Sequence, residues 1–314
     1  MKLSEVRRIT EEMTRIAPAE RENALQKLLC SLGVDPENLY QELEMESKLV
    51  DTHQDTSFSN NHVSLHSHTF FEILCCRNTC GAEYLVGSDR YRLQKGDIIF
   101  ISPGVSHRPL LPESMAVPYK RDIIWFSQEL VGQFSQMLPD SRLAQPHPEV
   151  VFLRTKGTKW DFLGEMFRSG VKEAERGKPE SDGIVLGNTI MILSQIARAL
   201  EETSTVQLKA EKPELLDKVM AYIEANLAKR ITLEETARHF YISVSTVTQL
   251  FRQKMGTSFY RCVTQRRLLA ARNMIQEGAA LEEVSIKTGF SDYATFYRAF
   301  KKEFGISPRQ YRNL

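Results

Sequence analysis

The feature that most constrains this chain is a helix-turn-helix pattern that occurs twice near the C-terminus, about fifty residues apart. The first copy, residues 231–256 (ITLEETARHFYISVSTVTQLFRQKMG), opens with Thr232 as N-cap and Glu235 three positions later, the signature of a capping box. Ile242 is expected to pack the turn, and Ser243 to cap the second helix. The whole chain beyond residue 212 has helical patterning, so an all-α domain is predicted here.

The second copy covers residues 281–305 (LEEVSIKTGFSDYATFYRAFKKEFG), with Gly289 in the turn and Ser291 expected as the cap of its second helix. Its predicted core-facing residues are Leu281, Val284, Ile286, Phe296 and Phe300. A long helix over residues 259–276 would hold the two units at a fixed separation. That helix carries Arg261, Arg266, Arg267 and Arg272. In both copies, the outward side chains of the second helix are able to contact base edges in a DNA major groove.

Charge is distributed unevenly along the chain, although 41 Lys and Arg against 40 Asp and Glu give a net charge of only +1. Residues 212–314 hold 17 basic and 10 acidic residues, a balance of +7, which leaves −6 for residues 1–211. This asymmetry indicates nucleic-acid binding by the basic part. Five cysteines, an odd number, favour a reducing cytoplasm. No apolar run in the sequence approaches the roughly 20 residues that a membrane-spanning helix needs, so no such helix is expected.

Residues 213–312 resemble the DNA-binding domain of the AraC/XylS family of bacterial transcription regulators, most densely over residues 289–312 (GFSDYATFYRAFKKEFGISPRQYR). The resemblance implies that both second helices enter neighbouring major-groove segments of promoter DNA. The residues implied by position to contact bases are Ser245, Thr248, Gln249, Tyr293, Ala294 and Arg298. Those expected to contact phosphates, which fix register without reading sequence, are Arg252, Lys254 and Lys301.

A different pattern extends from about residue 48 to 157, where short β-branched and aromatic runs are separated by turn signals. The predicted strands are 70–76, 82–87, 90–94, 97–102, 121–127 and 150–155. Many short strands at this spacing indicate a sandwich or barrel. Apolar helices are predicted around 160–171 and over 182–202. The second is so apolar that its own domain or a second subunit must cover it.

The segment HSHTFFEILCC places His66, His68 and Glu72 on one face of a strand, and His107 follows a Pro-Gly turn downstream. This set resembles the metal ligands of the cupin superfamily, and imidazoles with a carboxylate suit Mn, Fe, Ni or Zn. Sensor domains of AraC/XylS regulators are themselves cupin barrels that generally bind a small effector without a metal. The resemblance therefore favours effector contacts, with metal binding by the same histidines and Glu72, or plain barrel packing, as alternatives. The candidate effector contacts are His66, His68, Glu72, Tyr84 and His107.

The expected fold class is a multidomain α+β chain. Its parts are an N-terminal helical extension (1–47), a cupin-like double-stranded β barrel (48–157), a helical pair with dimerisation as one role (158–202), a linker (203–212) and an all-α domain with two helix-turn-helix motifs (213–314). The group Cys75, Cys76 and Cys80 is interpreted as small apolar packing rather than a redox or metal site.

The expected function is a cytoplasmic, sequence-specific DNA-binding transcription regulator that forms a homodimer, is not an enzyme and needs no cofactor. Its partners would be double-stranded promoter DNA, a small-molecule effector such as a sugar or organic acid, and RNA polymerase if it activates. One alternative is a metal-dependent cupin enzyme or metal sensor fused to a DNA-binding domain. Another is a constitutive DNA binder whose barrel only dimerises.

Overall fold

The computed structural model describes residues 12–13, 15–17, 20, 23–24, 27, 45–58, 65–112, 115–141, 150–202, 213–304 and 306–312. Most of the predicted N-terminal extension lies outside these residues, and the predicted linker lies entirely outside them. The described chain has a mixed α+β architecture, in which sheets dominate the first half and helices follow from residue 163 onward.

Among the described residues, eight strands form two antiparallel sheets, here called the β domain. They are β1 (Val50–Ser57), β2 (Phe71–Cys76), β3 (Glu83–Val86), β4 (Asp89–Arg92), β5 (Asp97–Ile101), β6 (His107–Leu110), β7 (Tyr119–Phe126) and β8 (Val150–Arg154). The larger sheet has the order β1-β7-β2-β5-β8, and the smaller has the order β4-β3-β6. All six predicted strands are confirmed. Strands β1 and β6 are missed from sequence because charged and polar residues interrupt their apolar pattern.

Strand β2 lies between two apolar layers. Ile73 and Cys75 belong to the core on the outer face of the larger sheet, while Leu74 and Cys76 belong to the core between the two sheets. Both faces are covered, which explains why the whole run FEILCC is buried. Because side chains alternate along a strand, Glu72 shares the inner face with Leu74. A carboxylate is thereby placed inside an apolar interior.

Three helices cover the outer face of the larger sheet, namely α1 (Gln128–Met137), α2 (Leu163–Arg176) and α3 (Ser181–Glu201). Phe167 of α2 and Ile196 of α3 are fully buried in the core that they share with the sheet. The predicted apolar helical pair is therefore covered, on one side, by its own chain.

Helix α3 corrects one expectation from the sequence. By length and composition alone it is the one helix among the described residues that could cross a membrane, with 39% of its most apolar window buried. The expectation that no segment has this character is wrong, because Gly183, Gly187 and Asn188 interrupt the run and hide it from inspection. A core helix of a folded domain passes the same test, and Val185 and Ile192 of α3 are buried in the sheet core.

Seven α-helices follow in the rest of the described chain. They are α4 (Leu215–Ala225), α5 (Leu233–His239), α6 (Val244–Leu250), α7 (Phe259–Gln276), α8 (Leu281–Lys287), α9 (Tyr293–Phe304) and α10 (Pro308–Arg312). A π-helical turn, Phe251–Met255, extends α6. Helices α5 and α6 form the first helix-turn-helix unit, α8 and α9 form the second, and α7 joins them, as predicted.

The first unit begins its helices at the predicted caps. The Thr232 hydroxyl accepts a hydrogen bond from the backbone N–H of Glu235 (3.1 Å), and the Ser243 hydroxyl accepts one from the N–H of Thr246 (3.1 Å). Val247 of α6 is fully buried in a core that includes residues of α4 and α7. The apolar pattern of this unit therefore predicts its packing correctly.

The second unit differs from expectation in two details. The cap of α9 is Asp292 rather than Ser291, since the Asp292 carboxylate accepts the N–H of Thr295 (2.6 Å) and the Ser291 hydroxyl donates to that carboxylate (2.8 Å). The turn between the helices is one residue longer here than in the first unit, which moves the cap by one position. Ile286 is 71% exposed rather than in the core, because it lies two residues beyond Val284 and off the buried stripe of α8.

Gly289 provides a test of how the second unit is attached to the first. It adopts φ +79°, and a Cβ at this position would lie 1.9 Å from the carbonyl oxygen of Leu227. We expect Gly289→Ala to lower the free energy of unfolding of the helical region by about 3 kcal/mol or more, because backbone strain and a backbone clash act together. Urea denaturation of the full chain, followed by circular dichroism, measures this loss.

Gly278→Ala is the matched control. Gly278 has φ +87°, but no neighbouring atom lies within 4 Å of the point that a Cβ would occupy. Only the strain of a left-handed residue applies there, about 1–2 kcal/mol. Equal losses in the two variants would contradict the importance of the close approach to Leu227.

Candidate DNA-binding surface and buried histidine cluster

Helix α6 buries one side and presents hydrogen-bonding side chains on the other. Val247 is fully buried, whereas Ser245 and Gln249 are exposed and Thr248 is half-buried. The Thr248 hydroxyl donates to the backbone carbonyl of Val244 (3.0 Å), and the Ser245 hydroxyl lies 2.7 Å from that of Ser243. The outward side of α6 is thus short, polar and accessible, as contact with base edges requires.

Helix α9 has the same division. Phe296 and Phe300 are fully buried, while Ala294 and Arg298 are exposed and Tyr293 is half-buried. We call the outward residues of the two helices the recognition surface, which comprises Ser245, Thr248, Gln249, Tyr293, Ala294 and Arg298. The three residues predicted to contact phosphates, Arg252, Lys254 and Lys301, are exposed as well.

The arginines of α7 are not part of this exposed surface. Arg266 and Arg272 are 2% and 0% exposed, and both donate hydrogen bonds to the β domain. Arg267 donates to the backbone carbonyls of Leu227 (3.1 Å) and Lys229 (2.6 Å). Arg261 pairs with the buried Glu303 of α9 (2.8 Å). Part of the local positive charge therefore holds the chain together instead of facing DNA.

A second concentration of polar groups lies between the two sheets of the β domain. His68, Glu72 and His107 are at most 3% exposed, and one ligand atom from each lies within 4.8 Å of the other two. Glu72 Oε2 is 3.1 Å from His107 Nε2 and 3.7 Å from His68 Nε2. We call these three residues the histidine cluster.

The other ring nitrogens and the other carboxylate oxygen of the cluster are held by neighbours. His68 Nδ1 lies 2.7 Å from the carbonyl of Phe70, and His107 Nδ1 lies 2.9 Å from that of Val105. Glu72 Oε1 accepts the indole N–H of Trp125 (2.9 Å). A carbonyl oxygen only accepts, so each Nδ1 carries its proton and each Nε2 of a neutral ring presents a lone pair.

Two lone pairs directed at one carboxylate oxygen repel it unless a positive charge lies between them. Within the described chain, His68 Nε2, His107 Nε2 and Glu72 Oε2 are buried without a hydrogen-bond partner. Burial alone raises the pKa of Glu72, but the neighbouring His107 and His68 outweigh it and hold this pKa well below its ordinary value. Burial lowers the pKa of His68. The cluster therefore suits a shared proton or a cation, and its donor set of two imidazoles and a carboxylate fits a divalent transition metal.

The remaining candidates of the β domain border the cluster. The ring of His66 lies 4.3 Å from that of His107, and Tyr84, which is 2% exposed, stacks at 6.1 Å from His107. Burial raises the pKa of the Tyr84 hydroxyl well above its ordinary value, so it remains a neutral donor. The structure thus brings all five predicted residues of the β domain together, with His66 and Tyr84 outside the compact group of ligand atoms.

The cysteine group does not form one site. Cys75 and Cys76 lie on opposite faces of β2. Burial raises the pKa of the Cys76 thiol to about 12, and this thiol lies 3.3 Å from the Tyr119 hydroxyl. Cys80 is half-buried. Since low-pKa, accessible thiolates are the reactive ones, this environment favours packing over redox chemistry.

Sequence reasoning misses two kinds of functional residue here. Trp125 orients Glu72 across the β2–β7 pairing, where the two residues are direct partners. Ser67 and Ser106 contact α7 from positions next to the histidines. The sequence does contain a signal for the two serines. Side chains alternate along an extended backbone, so the residues next to inward-facing histidines point away from the cluster.

Comparisons with known proteins agree with the helical part of this arrangement. A family model described as a helix-turn-helix domain matches residues 236–314. The HTH-type transcriptional activators RhaS of Salmonella arizonae and of Citrobacter koseri are each 22% identical over 251 residues, covering 79% of this chain and 86% of the relative.

Solved structures with similarity include the C-terminal domain of AraT, a response regulator from Geobacillus stearothermophilus, with 28% identity, 31% of this chain and 81% of that chain covered, and a TM-score of 0.30. ToxT from Vibrio cholerae O395 has 10% identity, with 85% of this chain and 98% of that chain covered and a TM-score of 0.37. Residues 236–314 thus form a helix-turn-helix domain of the AraC type, and over most of its length the chain is similar to DNA-binding transcription regulators of the AraC family.

Proposed function

We propose that this regulator binds promoter DNA through both recognition helices and that a small molecule held in the β domain controls the binding. The observation that supports it most directly is that α6 and α9 bury only their apolar sides and expose the recognition surface. Both units pack on one helix, α7, so the two recognition helices can meet successive major-groove faces, about 34 Å apart, as a single body.

Six residues read bases in this proposal, and three hold phosphates. Arg298 suits guanine, because its fork of donors matches O6 and N7, and Ala294 suits the methyl group of thymine. Ser245, Thr248, Gln249 and Tyr293 donate and accept hydrogen bonds at base edges. Arg252, Lys254 and Lys301 neutralise phosphates and fix the register of the protein on DNA.

The β domain is proposed to be a cupin-like barrel over residues 48–157, with the helical pair 158–202 contributing to a homodimer and the DNA-binding domain spanning 213–314. Its effector, such as a sugar or organic acid, contacts His66, His68, Glu72, Tyr84 and His107. The protein acts in the cytoplasm without enzymatic activity, and it contacts RNA polymerase if it activates transcription.

The roles of Arg298 and Lys301 can be separated by one pair of variants. Arg298→Ala should cost about 1–3 kcal/mol on the preferred DNA sequence and relax specificity at one base position, whereas Lys301→Ala should weaken all sequences alike and reduce the salt dependence of binding. Fluorescence anisotropy on a selected duplex and on a random duplex measures both effects. If both variants lost the same affinity on both duplexes, the division into base and phosphate contacts would be wrong.

Effector binding is tested by a thermal-shift screen of the full chain against sugars, organic acids and metal ions. A ligand at 100 times its dissociation constant stabilises the folded state by about 2.7 kcal/mol, enough for a clear shift. The same ligand must then alter DNA affinity in the anisotropy assay. A stabilising ligand that left DNA affinity unchanged would leave a constitutive DNA binder as the better description.

The histidine cluster favours a second candidate, a regulator whose β domain holds a divalent transition metal. His68, Glu72 and His107 would supply the ligands through Nε2, Oε2 and Nε2, each of which is a buried atom without a hydrogen-bond partner in the described chain. Backbone carbonyls already orient both imidazoles, and Trp125 orients the carboxylate, as outer contacts do at metal sites. A bound metal would act as a Lewis acid toward an oxygen-bearing effector.

Elemental analysis of the chain purified without an affinity tag tests this candidate. We expect about one metal ion per chain, lost in His68→Ala and retained in His239→Ala, which removes an exposed histidine far from the cluster in sequence. Occupancy should fall on acidification, because protonated imidazoles cannot donate a lone pair. A wild-type chain that stays metal-free after dialysis against Zn²⁺, Ni²⁺ or Mn²⁺ would eliminate the metal and leave a shared proton in the cluster.

A further inference from the structure

The DNA-binding region lies against the outer face of the smaller sheet. Leu85 of β3 and Leu110 of β6 join the core formed by α4 and α7. Arg90 of β4 pairs with Glu214 (3.0 Å) and Asp217 (3.3 Å) at the start of α4. The smaller sheet therefore has the histidine cluster on its inner side and the DNA-binding helices on its outer side.

Two arginines of helix α7 donate hydrogen bonds to the two chain segments that carry the histidines. Arg272 donates to the backbone carbonyl of Ser67 (2.8 Å) and to the Ser67 hydroxyl. Arg266 donates to the Ser106 hydroxyl and to the carbonyl of Gly87 (2.7 Å). Ser67 lies between His66 and His68, and Ser106 directly precedes His107.

The two segments pair through their backbones and form a single layer between the histidine cluster and α7. The backbones of His66 and His107 exchange hydrogen bonds (3.1 and 2.9 Å), and the N–H of Gly104 donates to the carbonyl of His68 (2.8 Å). Successive residues of extended backbone point to opposite sides. His68 and His107 thus reach the cluster, while Ser67 and Ser106 reach α7 from the same stretch of backbone.

Strand β6 continues this alternation by one residue. Arg108, which follows His107, is 1% exposed and donates to the carbonyl of Met255 at the end of the π-helical turn behind α6. Burial lowers the pKa of Arg108 to about 10, so the side chain is still charged at neutral pH. The layer therefore contacts the π-helical turn that follows α6, and it contacts α7 at two points.

We propose that this layer couples the histidine cluster to the DNA-binding helices, so that a change in what the cluster holds shifts α7 through the Ser67–Arg272 and Ser106–Arg266 contacts. This inference rests on the proposed function, in which the β domain controls DNA binding. It adds the path and the residues. No ligand contact with the DNA-binding helices is needed.

Burial makes these contacts a stiff connection. Arg266 and Arg272 are 2% and 0% exposed, and a buried guanidinium that leaves its acceptors incurs a large desolvation penalty. The serines and arginines therefore move together. Helix α7 contributes Phe259, Cys262 and Val263 to the core of the first unit and Leu268, Ala271 and Ile275 to that of the second. A shift of α7 accordingly changes how both recognition helices are presented to DNA.

The test perturbs the cluster from inside and asks whether the effect reaches DNA. Glu72→Gln removes the carboxylate charge at constant shape. The double variant Ser67→Ala with Ser106→Ala removes the two hydroxyls that accept hydrogen bonds from α7. DNA affinity of the full chain is measured by anisotropy on a duplex selected from a random-sequence pool by the wild-type chain. Ser169→Ala, at an exposed position on α2, is the matched control for serine replacement.

We expect Glu72→Gln to change the dissociation constant for DNA at least about five-fold in the wild-type and Ser169→Ala backgrounds, the lower range of measured site-to-site coupling. In the double serine variant the same change should shift it less than about two-fold. Hydrogen exchange gives a second readout, since Glu72→Gln should alter exchange in residues 259–276 only when both serines are present. It also reports whether each variant is folded, and His107→Gln replaces Glu72→Gln if that chain is not.

Two results would overturn the coupling. One is an equal effect of Glu72→Gln in all backgrounds, which would show that the cluster acts by another path. The other is no effect in any background, which would show that the cluster and the DNA-binding helices are independent. Failure of the wild-type chain to select any duplex would instead refute the proposed DNA-binding function itself, so the two failures are distinguishable.

Discussion

The burial of Arg266 and Arg272 against the β domain is the constraint on which the rest of the structure depends. Guanidinium groups that are 2% and 0% exposed are tolerated in the interior only where acceptors for their N–H groups are held in place. The β domain supplies acceptors from Ser67, Gly87 and Ser106, and Glu224 of α4 also pairs with Arg266 (2.6 Å). Both arginines lie on the helix that carries both helix-turn-helix units, so their contacts, together with those of Arg90 and Arg108, set the position of the DNA-binding helices relative to the β domain.

The histidine cluster adds a constraint of charge. Its two imidazole Nε2 atoms and one carboxylate oxygen meet in an apolar interior, and backbone carbonyls hold both imidazoles in the tautomer that directs lone pairs toward Glu72. Such a group is stable with a proton or a metal ion and strained without one. In the proposed function, occupancy of this site controls DNA binding, which requires that the ligand favour one arrangement of the chain over another.

The sequence predicts the elements of this protein better than their contacts. The apolar spacing at Val247, Phe296 and Phe300 anticipates which side of each recognition helix is buried, since a helix repeats every 3.6 residues. The same reasoning fails at Ile286, which lies off the buried stripe of α8, and at the cap of α9, which one additional residue in the turn moves by one position. Strand β6 escapes prediction because its four residues, HRPL, are buried by two different layers and not by an apolar pattern.

The sequence by itself determined the two helix-turn-helix units and the mixed α+β character, because local periodicity and caps encode them. It also placed His66, His68 and Glu72 on one side of the chain. Only the tertiary structure decided that Arg266 and Arg272 face the β domain instead of DNA, and that His107 joins His68 at Glu72. These contacts join residues 35 to 205 positions apart in the chain, and no local pattern specifies which distant backbone will supply an acceptor.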